Sequence, residues 1–404
     1  MVSRILYWGD SPAVCTGFGV VARHVLRALH DAGHRIDCLT INSPGDFVDP
    51  EAFPYAMMPA PVAANDRVGA AAFARIIGSD RAPALVLVQN DLAVTHVAAG
   101  YIKSLRERGA KLPPIIHYFP VDCAVRRDYS AMLETADVNV TCTLFGQRAA
   151  ADAFPNRVAR LIPHGVDTRV FRPLPERAVV RDAVRAALGI PARATLICSV
   201  ASNNVRKDLP RTLAAFAEYR ATADQLAVLY LHTRPFSNGI DLNAAAAALG
   251  LVVGRDVFFP ANYPSFSGVP DSTLNELYNA SDVYFSTTLG EGWGLPVTEA
   301  MAAGLPVVAP RNSSLTELGA EGRAILYDCD EQIWVDNSGY RPLGLMTKIV
   351  AALRRALSMS VTERAQMTTV ALEFARRLDW SLVTVRWVSL IDDWTRHGAA
   401  LPRV

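Results

Sequence analysis

Short apolar runs of β-rich composition return along the whole of this chain, and helical stretches separate several of them. In the first part they are Arg4 to Trp8, Ile36 to Ile41, Leu85 to Gln89, Pro114 to Phe119, Val138 to Cys142 and Leu161 to Pro163. In the second part they are Thr195 to Val200, Ala227 to His232, Val257 to Pro260, Val283 to Ser286 and Pro306 to Ala309. Between them, Val20 to Ala32 carries Val21, Val25, Leu26 and Leu29 at helical spacing and ends at Gly33. Val68 to Ile77, Ala98 to Arg108 and Ser272 to Ala280 also read as helices. Strands that alternate with helices predict parallel sheets covered on both faces. Pro173-Leu174-Pro175 leads into a helix ending near Gly189, which opens the second set. A length of 404 residues suits two or three domains. Ser43 to Pro61, rich in proline and aromatics, reads as an irregular surface segment.

The most informative loop follows the strand at Val283 to Ser286. It runs Leu289-Gly290-Glu291-Gly292-Trp293-Gly294-Leu295-Pro296-Val297-Thr298-Glu299, and its helix closes at Gly304. Proline suits a first helical turn and glycine suits a helix end. In a parallel α/β sheet this strand-to-helix loop lies at the ligand-binding end. Its glycines let backbone N–H groups approach a ligand, and carboxylates such as Glu291 and Glu299 accept hydrogen bonds from sugar hydroxyls. A second loop, Ala201 to Asp208, follows the strand at Thr195 to Val200 and carries Arg206 and Lys207. Only Lys103, Lys111, Lys207 and Lys348 are lysines in a chain that otherwise uses arginine. An ammonium is a compact partner for phosphate, so Lys207 reads as an anion ligand.

Glu291 and Glu299, with seven residues between them and followed by Ala300-Met301-Ala302-Ala303-Gly304, form a phrase that resembles the signature of retaining GT-B glycosyltransferases of the family 4 type. The resemblance implies an α/β GT-B fold, two Rossmann-like domains with parallel sheets facing across a cleft. It implies transfer of a sugar, with retention, from a UDP- or GDP-linked donor to a hydroxyl of a carbohydrate, lipid or natural product. In its terms Glu291 and the backbone at Gly292, Trp293, Gly294 and Leu295 hold the donor sugar, and Glu299 holds the ribose. Lys207 and Arg206 neutralise the departing diphosphate. Asn203 belongs to the donor site, as does Ser202, which stands where many relatives carry another arginine. Gly17 and Gly19 fall in the N-terminal glycine loop beside the donor phosphates, and Pro260 to Tyr263 lies near the base. The segment around Ser43 to Pro61 helps to shape the acceptor side. Ile162 to Pro173 matches the end of the first domain, with His164 where asparagine is commoner.

The implied division is residues 1–170 on the acceptor side, 171–378 for the nucleotide sugar, and a helix in 379–404 crossing back to the first domain. That helix carries Val383, Trp387, Leu390, Ile391 and Trp394 on one side. One departure concerns the histidine that many members place after the strand at Pro114 to Phe119. Pro120 occupies that position, and His117 lies inside the strand, where a buried, satisfied imidazole is expected. Asp91 and Asp122, at the ends of two strands, are the candidates to replace it; each also reads as a helix cap.

Net charge is +1, which gives no global attraction to nucleic acid, although some viral GT-B enzymes glycosylate modified DNA bases and that reading stays open. No apolar run is long enough to span a bilayer, so any membrane contact is expected to be peripheral. The N-terminus reads directly as a strand, so no signal peptide is expected, and the six scattered cysteines read as free thiols, Cys38, Cys142 and Cys198 buried, in a reducing cytoplasm. No bound metal or cofactor is expected. Asp328-Cys329-Asp330 imitates an acid-x-acid metal motif but lies too far downstream. Gly17-Phe18-Gly19-Val20-Val21-Ala22 fits a dinucleotide fingerprint, but too long a loop separates it from its strand for a nicotinamide dehydrogenase. A nucleotide-sugar epimerase and a non-catalytic sugar-nucleotide binder remain as alternatives. Ser314 and Glu317 have the spacing of a capping box.

Overall fold

The computed structural model of the chain describes residues 3–43, 48–264, 268–335 and 339–397. They form two compact units. One holds the residues up to Gly165 together with Gly268 and those from Trp380 onward; the other holds Val166–Pro264 and Val269–Asp379.

The first unit contains β1 (Arg4–Asp10), β2 (Arg35–Ile41), β3 (Ala56–Pro59), β4 (Leu85–Gln89), β5 (Ile115–Phe119), β6 (Val138–Thr141) and β7 (Ala159–Leu161). They pair in the order β3-β2-β1-β4-β5-β6-β7, parallel throughout. Helices α1 (Gly17–Asp31), α2 (Ala70–Ile77), α3 (Leu92–Glu107), α4 (Met132–Thr135) and α5 (Leu144–Ala153) supply the crossovers. Strands buried on both faces explain the near-continuous apolar runs. Leu6, Trp8, Val86 and Val88 pack with Phe73 and Ile102, and Trp8 stacks on Phe73 at 4.5 Å.

In the second unit, α6 (Arg177–Ala187) precedes β8 (Thr195–Val200), α7 (Leu209–Arg220) and β9 (Ala227–His232). A short hairpin, β10 (Phe236–Ser237) with β11 (Ile240–Asp241), leads to α8 (Leu242–Ala248) and β12 (Val257–Phe258). Then come α9 (Asp271–Ala280), β13 (Val283–Phe285), α10 (Leu295–Ala302), β14 (Val307–Pro310), α11 (Ser313–Leu318) and β15 (Ile325–Tyr327). The parallel order is β12-β9-β8-β13-β14-β15. A hairpin of β16 (Glu331–Val335) and β17 (Gly339–Leu343) and helices α12 (Met346–Leu357) and α13 (Val361–Arg377) complete the unit. Successive residues of β8 serve opposite faces: Ile197 packs with Leu213, Phe216 and Leu353, and Leu196 packs with Ile190 and Leu277.

Helix α14 (Trp380–His397) belongs to the first unit. Val383, Trp387, Leu390, Ile391 and Trp394 are all buried, and Trp387 meets Tyr118 edge-on at 4.7 Å. Trp380 stacks on His24 at 4.6 Å and fills the space beside Gly165, where a Cβ would lie 2.5 Å from the indole. No described helix is long and apolar enough to cross a membrane.

Four sequence expectations are corrected. The first strand, expected over Arg4 to Trp8, extends through Gly9 and Asp10. Helix α1 starts at Gly17, so Gly17 and Gly19 are its first turn rather than loop glycines; Thr16 caps it, accepting from the Gly19 N–H at 3.0 Å. The segment 43–61, whose residues 44–47 lie outside the described residues, contains β3 at the sheet edge. The spacing of Ser314 and Glu317 is not a capping box, because Asn312 occupies the cap position and Ser314 lies within α11. The last residues of the expected 379–404 segment, 398–404, are also outside the described residues.

Candidate functional site

Parallel pairing of β8 with β13, in which Val283 opposes Ile197 and Tyr284 opposes Cys198, brings their C-terminal loops side by side. After β8 the chain makes a single 3-10 turn over Val205–Lys207, closed by Asn204, whose side chain accepts from the Lys207 N–H at 3.2 Å. Asp208 then takes a left-handed conformation (φ +47°) and α7 begins, with Pro210 in its first turn. The two loops are joined by backbone and hydroxyl bonds. The Leu289 N–H donates to the Arg206 carbonyl at 2.8 Å, the Thr288 hydroxyl to the same carbonyl at 3.2 Å, and the Thr287 hydroxyl to the Asp208 carbonyl at 2.8 Å.

Glu291 lies in this junction, 8% exposed. Lys207 Nζ is 2.5 Å from its Oε1, and Arg206 donates to its Oε2 at 2.9 Å and to the Gly290 carbonyl at 2.6 Å. Burial alone would push the Glu291 carboxyl up; the two cations overcome that and bring it down to about 2. The carboxylate is therefore ionised across the physiological range.

Glu299, in the second turn of α10, accepts from the Tyr278 hydroxyl of α9 at 2.8 Å. Here burial dominates and pushes the carboxyl up to about 7, against the lowering effect of the tyrosine bond. The two glutamates thus have opposite electrostatics: one is fixed as an anion, and the other is poised near neutrality. Gly294 caps α10 at φ +101°, and a Cβ there would meet Leu315 at 3.1 Å. Trp293 is buried beside it, while Gly292 and Leu295 are partly exposed.

Among the other expected residues, Ser202 is exposed. Asn203 is buried, and its amide donates to the carbonyls of Arg234, Pro235 and Ile240 at 3.1–3.2 Å, which ties the β10–β11 hairpin to the Lys207 loop. In the first unit Asp91 occupies the cap position of α3, but its side chain makes no capping bond. Asp122 is half-buried in the loop after β5. His117 is fully buried, with Thr95 at 3.0 Å on Nε2 and Asn139 at 3.3 Å on Nδ1; burial pushes it down to about 3, so it is a neutral core imidazole. Cys38, Cys142 and Cys198 are buried thiols outside any disulfide.

Sequence reasoning missed three groups. Asp10, at the end of β1, is 3% exposed and accepts from Thr16 at 2.7 Å and from Asn42 and Asn90 at 3.1 Å each. Burial pushes its carboxyl up against these three bonds. A polar residue that ends an apolar strand was the available signal. Tyr278, on an unremarkable helix, supplies the partner of Glu299. Ser314 has capping-box spacing in the sequence and Ser313 carries no signal there, yet both contact the Glu291 loop.

Residues 261–333, which contain this loop, match the family Glycosyl transferases group 1. HepE of Anabaena, solved in complex with UDP-glucose, has a TM-score of 0.71 at 15% identity, covering 97% of this chain and 100% of that one. Sucrose-phosphate synthase from Thermosynechococcus elongatus has a TM-score of 0.73 at 18% identity, covering 97% and 99%. The fold is therefore GT-B, and the stretch 261–333 is the part of the chain that carries the group 1 glycosyl transferase match. Among curated sequences the chain is similar to a D-inositol 3-phosphate glycosyltransferase of a Nocardioides species, 30% identical over 237 residues, 57% of this chain and 47% of that protein. It is also similar to an MMP alpha-(1->4)-mannosyltransferase of Mycolicibacterium hassiacum, 28% identical over 165 residues, 40% of this chain and 34% of that protein. The chain spans about half the length of the inositol phosphate transferases it matches.

Proposed function

We propose that the protein is a retaining glycosyltransferase that moves a sugar from a nucleoside diphosphate sugar to a hydroxyl acceptor. The observation that carries the reading is the convergence of Lys207, Arg206 and Glu291 at the ends of two adjacent parallel strands, with Glu299 on the helix that follows. Two fixed cations at a strand end suit a diphosphate leaving group, whose charge grows as the bond from the sugar carbon to the phosphate oxygen breaks. Glu291, held as an anion, accepts from sugar hydroxyls and orients the ring. Glu299, close to its titration point, suits the ribose diol. Retention rests on the family phrase, and a UDP- or GDP-linked donor on the same resemblance; the UDP-glucose bound by HepE supports the uridine form.

In this reading residues 171–378 hold the donor and residues 1–170 serve the acceptor, with Gly17 and Gly19 near the phosphates and Asp122 or Asp91 orienting the attacking hydroxyl. The acceptor is a hydroxyl of a carbohydrate, lipid or natural product. Incubation with labelled UDP- and GDP-sugars tests the proposal. Slow release of free sugar without acceptor, and transfer with one, is the expected outcome. Interconversion of the nucleotide sugar without release would make the protein an epimerase, and binding without any turnover would make it a sugar-nucleotide binder.

A further inference from the structure

We infer that the turn Asn312-Ser313-Ser314, which opens α11, is a positioning clamp that fixes the backbone of Glu291 before any ligand arrives. The clamp itself is read from hydrogen bonds; its effect on donor affinity rests on the proposed role of Glu291.

The turn grips the Glu291 loop at four peptide groups. The Glu291 N–H donates to Ser313 Oγ at 2.8 Å. The Ser314 hydroxyl lies 2.9 Å from the Glu291 carbonyl and 2.7 Å from the Trp293 carbonyl, so its one proton is shared between them. The Asn312 amide donates to the Thr288 carbonyl at 3.1 Å. The clamp residues are 4%, 8% and 0% exposed in order, so water does not compete for these bonds.

Both the N–H and the C=O of Glu291 are thus held by side chains from the loop after β14. That strand neighbours β13 in the sheet, with Tyr284 opposite Val307, and the adjacency delivers the clamp to the loop. With its Cα fixed, the Glu291 side chain has only its own torsions left to reach Lys207 and Arg206.

Ser313 carries a second, independent sign. Its φ is +40°, a conformation that side chains other than glycine and asparagine adopt at a cost. Glycine would take this conformation without penalty but offers no oxygen to the Glu291 N–H. A serine held there makes sense if the hydroxyl is needed.

Two variants separate the effects. Ser313→Gly relieves the backbone and removes the oxygen; Ser314→Ala removes the hydroxyl without touching the backbone. In hydrogen-exchange mass spectrometry of the unliganded protein, the peptide spanning residues 288–293 should exchange faster in both variants, and Ser314→Thr, which keeps the hydroxyl, should restore wild-type protection. Unchanged exchange in Ser313→Gly and Ser314→Ala would overturn the clamp, whatever the protein's reaction.

Calorimetry with UDP-glucose and UDP, and with GDP-mannose and GDP, then reads its role. The sugar nucleotide that the wild type binds should weaken at least about fivefold in Ser314→Ala, the scale of one net hydrogen bond, while its bare diphosphate changes less than twofold. Equal weakening of both ligands with a lowered melting temperature would reduce the turn to a purely structural one. A wild type that binds none of the four would overturn the transferase reading, and the exchange experiment would still decide the clamp.

Discussion

Glu291 neutralises the same two cations that the proposed reaction needs for the diphosphate. A ligand phosphate must therefore share or displace that carboxylate. Glu291→Gln keeps the shape and removes the charge, so bare nucleoside diphosphate should bind at least as tightly as to wild type. The sugar nucleotide should lose affinity, because only it uses the carboxylate on the sugar. Calorimetry with both ligands checks this, and equal weakening of both would end the division of roles. Lys207→Ala removes one preorganised charge and should cost about 3 kcal/mol of transition-state stabilisation, more than tenfold in turnover, in a folded protein; steady-state rates decide it. Glu299 offers a pH signature. Its folded carboxyl lies at about 7 against an ordinary 4.5, so its contribution to stability is fully present below 4.5 and is lost as pH rises through 7. Ribose hydroxyls donate best to the ionised form. Binding of the sugar nucleotide, whose diphosphate has no proton to lose in this range, should then release protons near pH 6.5, seen as a dependence of the calorimetric heat on the buffer's ionisation enthalpy. Glu299→Gln should abolish the release.

At the scale of elements, the central strands of both sheets were legible because parallel strands buried on both faces leave long apolar runs, whereas the edge strands β3 and β15, the two hairpins and helices α4, α5, α7, α8, α12 and α13 were not. What failed was governed by groups distant in sequence or by weak local signals. Helix α1 begins at Gly17 because the Thr16 hydroxyl caps it, and two glycines in its first turn hide the helical pattern. The Ser314 hydroxyl serves the Glu291 loop instead of a helix end, a choice that only the β13–β14 adjacency makes visible. Likewise, the sequence placed Lys207, Arg206 and Glu291 at strand ends, but not the pairing that turns them toward one another. Two glycines show how neighbours decide a substitution. A Cβ on Gly19 would lie 2.3 Å from the Val14 carbonyl oxygen and 2.8 Å from that of Ser11, both backbone atoms that cannot rotate away. Gly19→Ala should destabilise by about 2 kcal/mol, the scale of an overpacked site. Gly100, inside α3 and exposed, has nothing within 4 Å of a built Cβ. Gly100→Ala should stabilise by about 0.5–1 kcal/mol through helix propensity. Thermal melts of the pair give opposite shifts if local packing is read correctly.

At the scale of the whole molecule, each unit has its own parallel sheet and its own core, and the charged groups proposed to hold the donor, Arg206, Lys207, Glu291 and Glu299, belong to the second unit. That unit is also tied at its two ends. The Val166 N–H donates to the Leu378 carbonyl at 2.9 Å, the Thr168 N–H donates to Asp379 at 3.1 Å, and the Thr168 hydroxyl bonds the same carboxylate. Closing the ends of Val166–Asp379 in this way lets the unit gain from a ligand as one cooperative body. Nucleoside diphosphate at about a hundred times its Kd should add about 2.7 kcal/mol to whatever unfolds with the binding site. If the donor site is confined to Arg206, Lys207, Glu291, Glu299 and their loops, that gain belongs to the second unit. Hydrogen exchange should then slow, by roughly a hundredfold for globally exchanging amides, in peptides from β8, β9 and β13. Peptides from β1, β4 and β5 should keep their unliganded rates. Equal slowing in both sets would mean that the units unfold together or that the bare diphosphate draws contacts from both. Repeating the measurement with Lys207→Ala tests where the diphosphate sits: loss of slowing in both sets traces it to the second-unit site, and slowing that persists only in the first unit would relocate the diphosphate there.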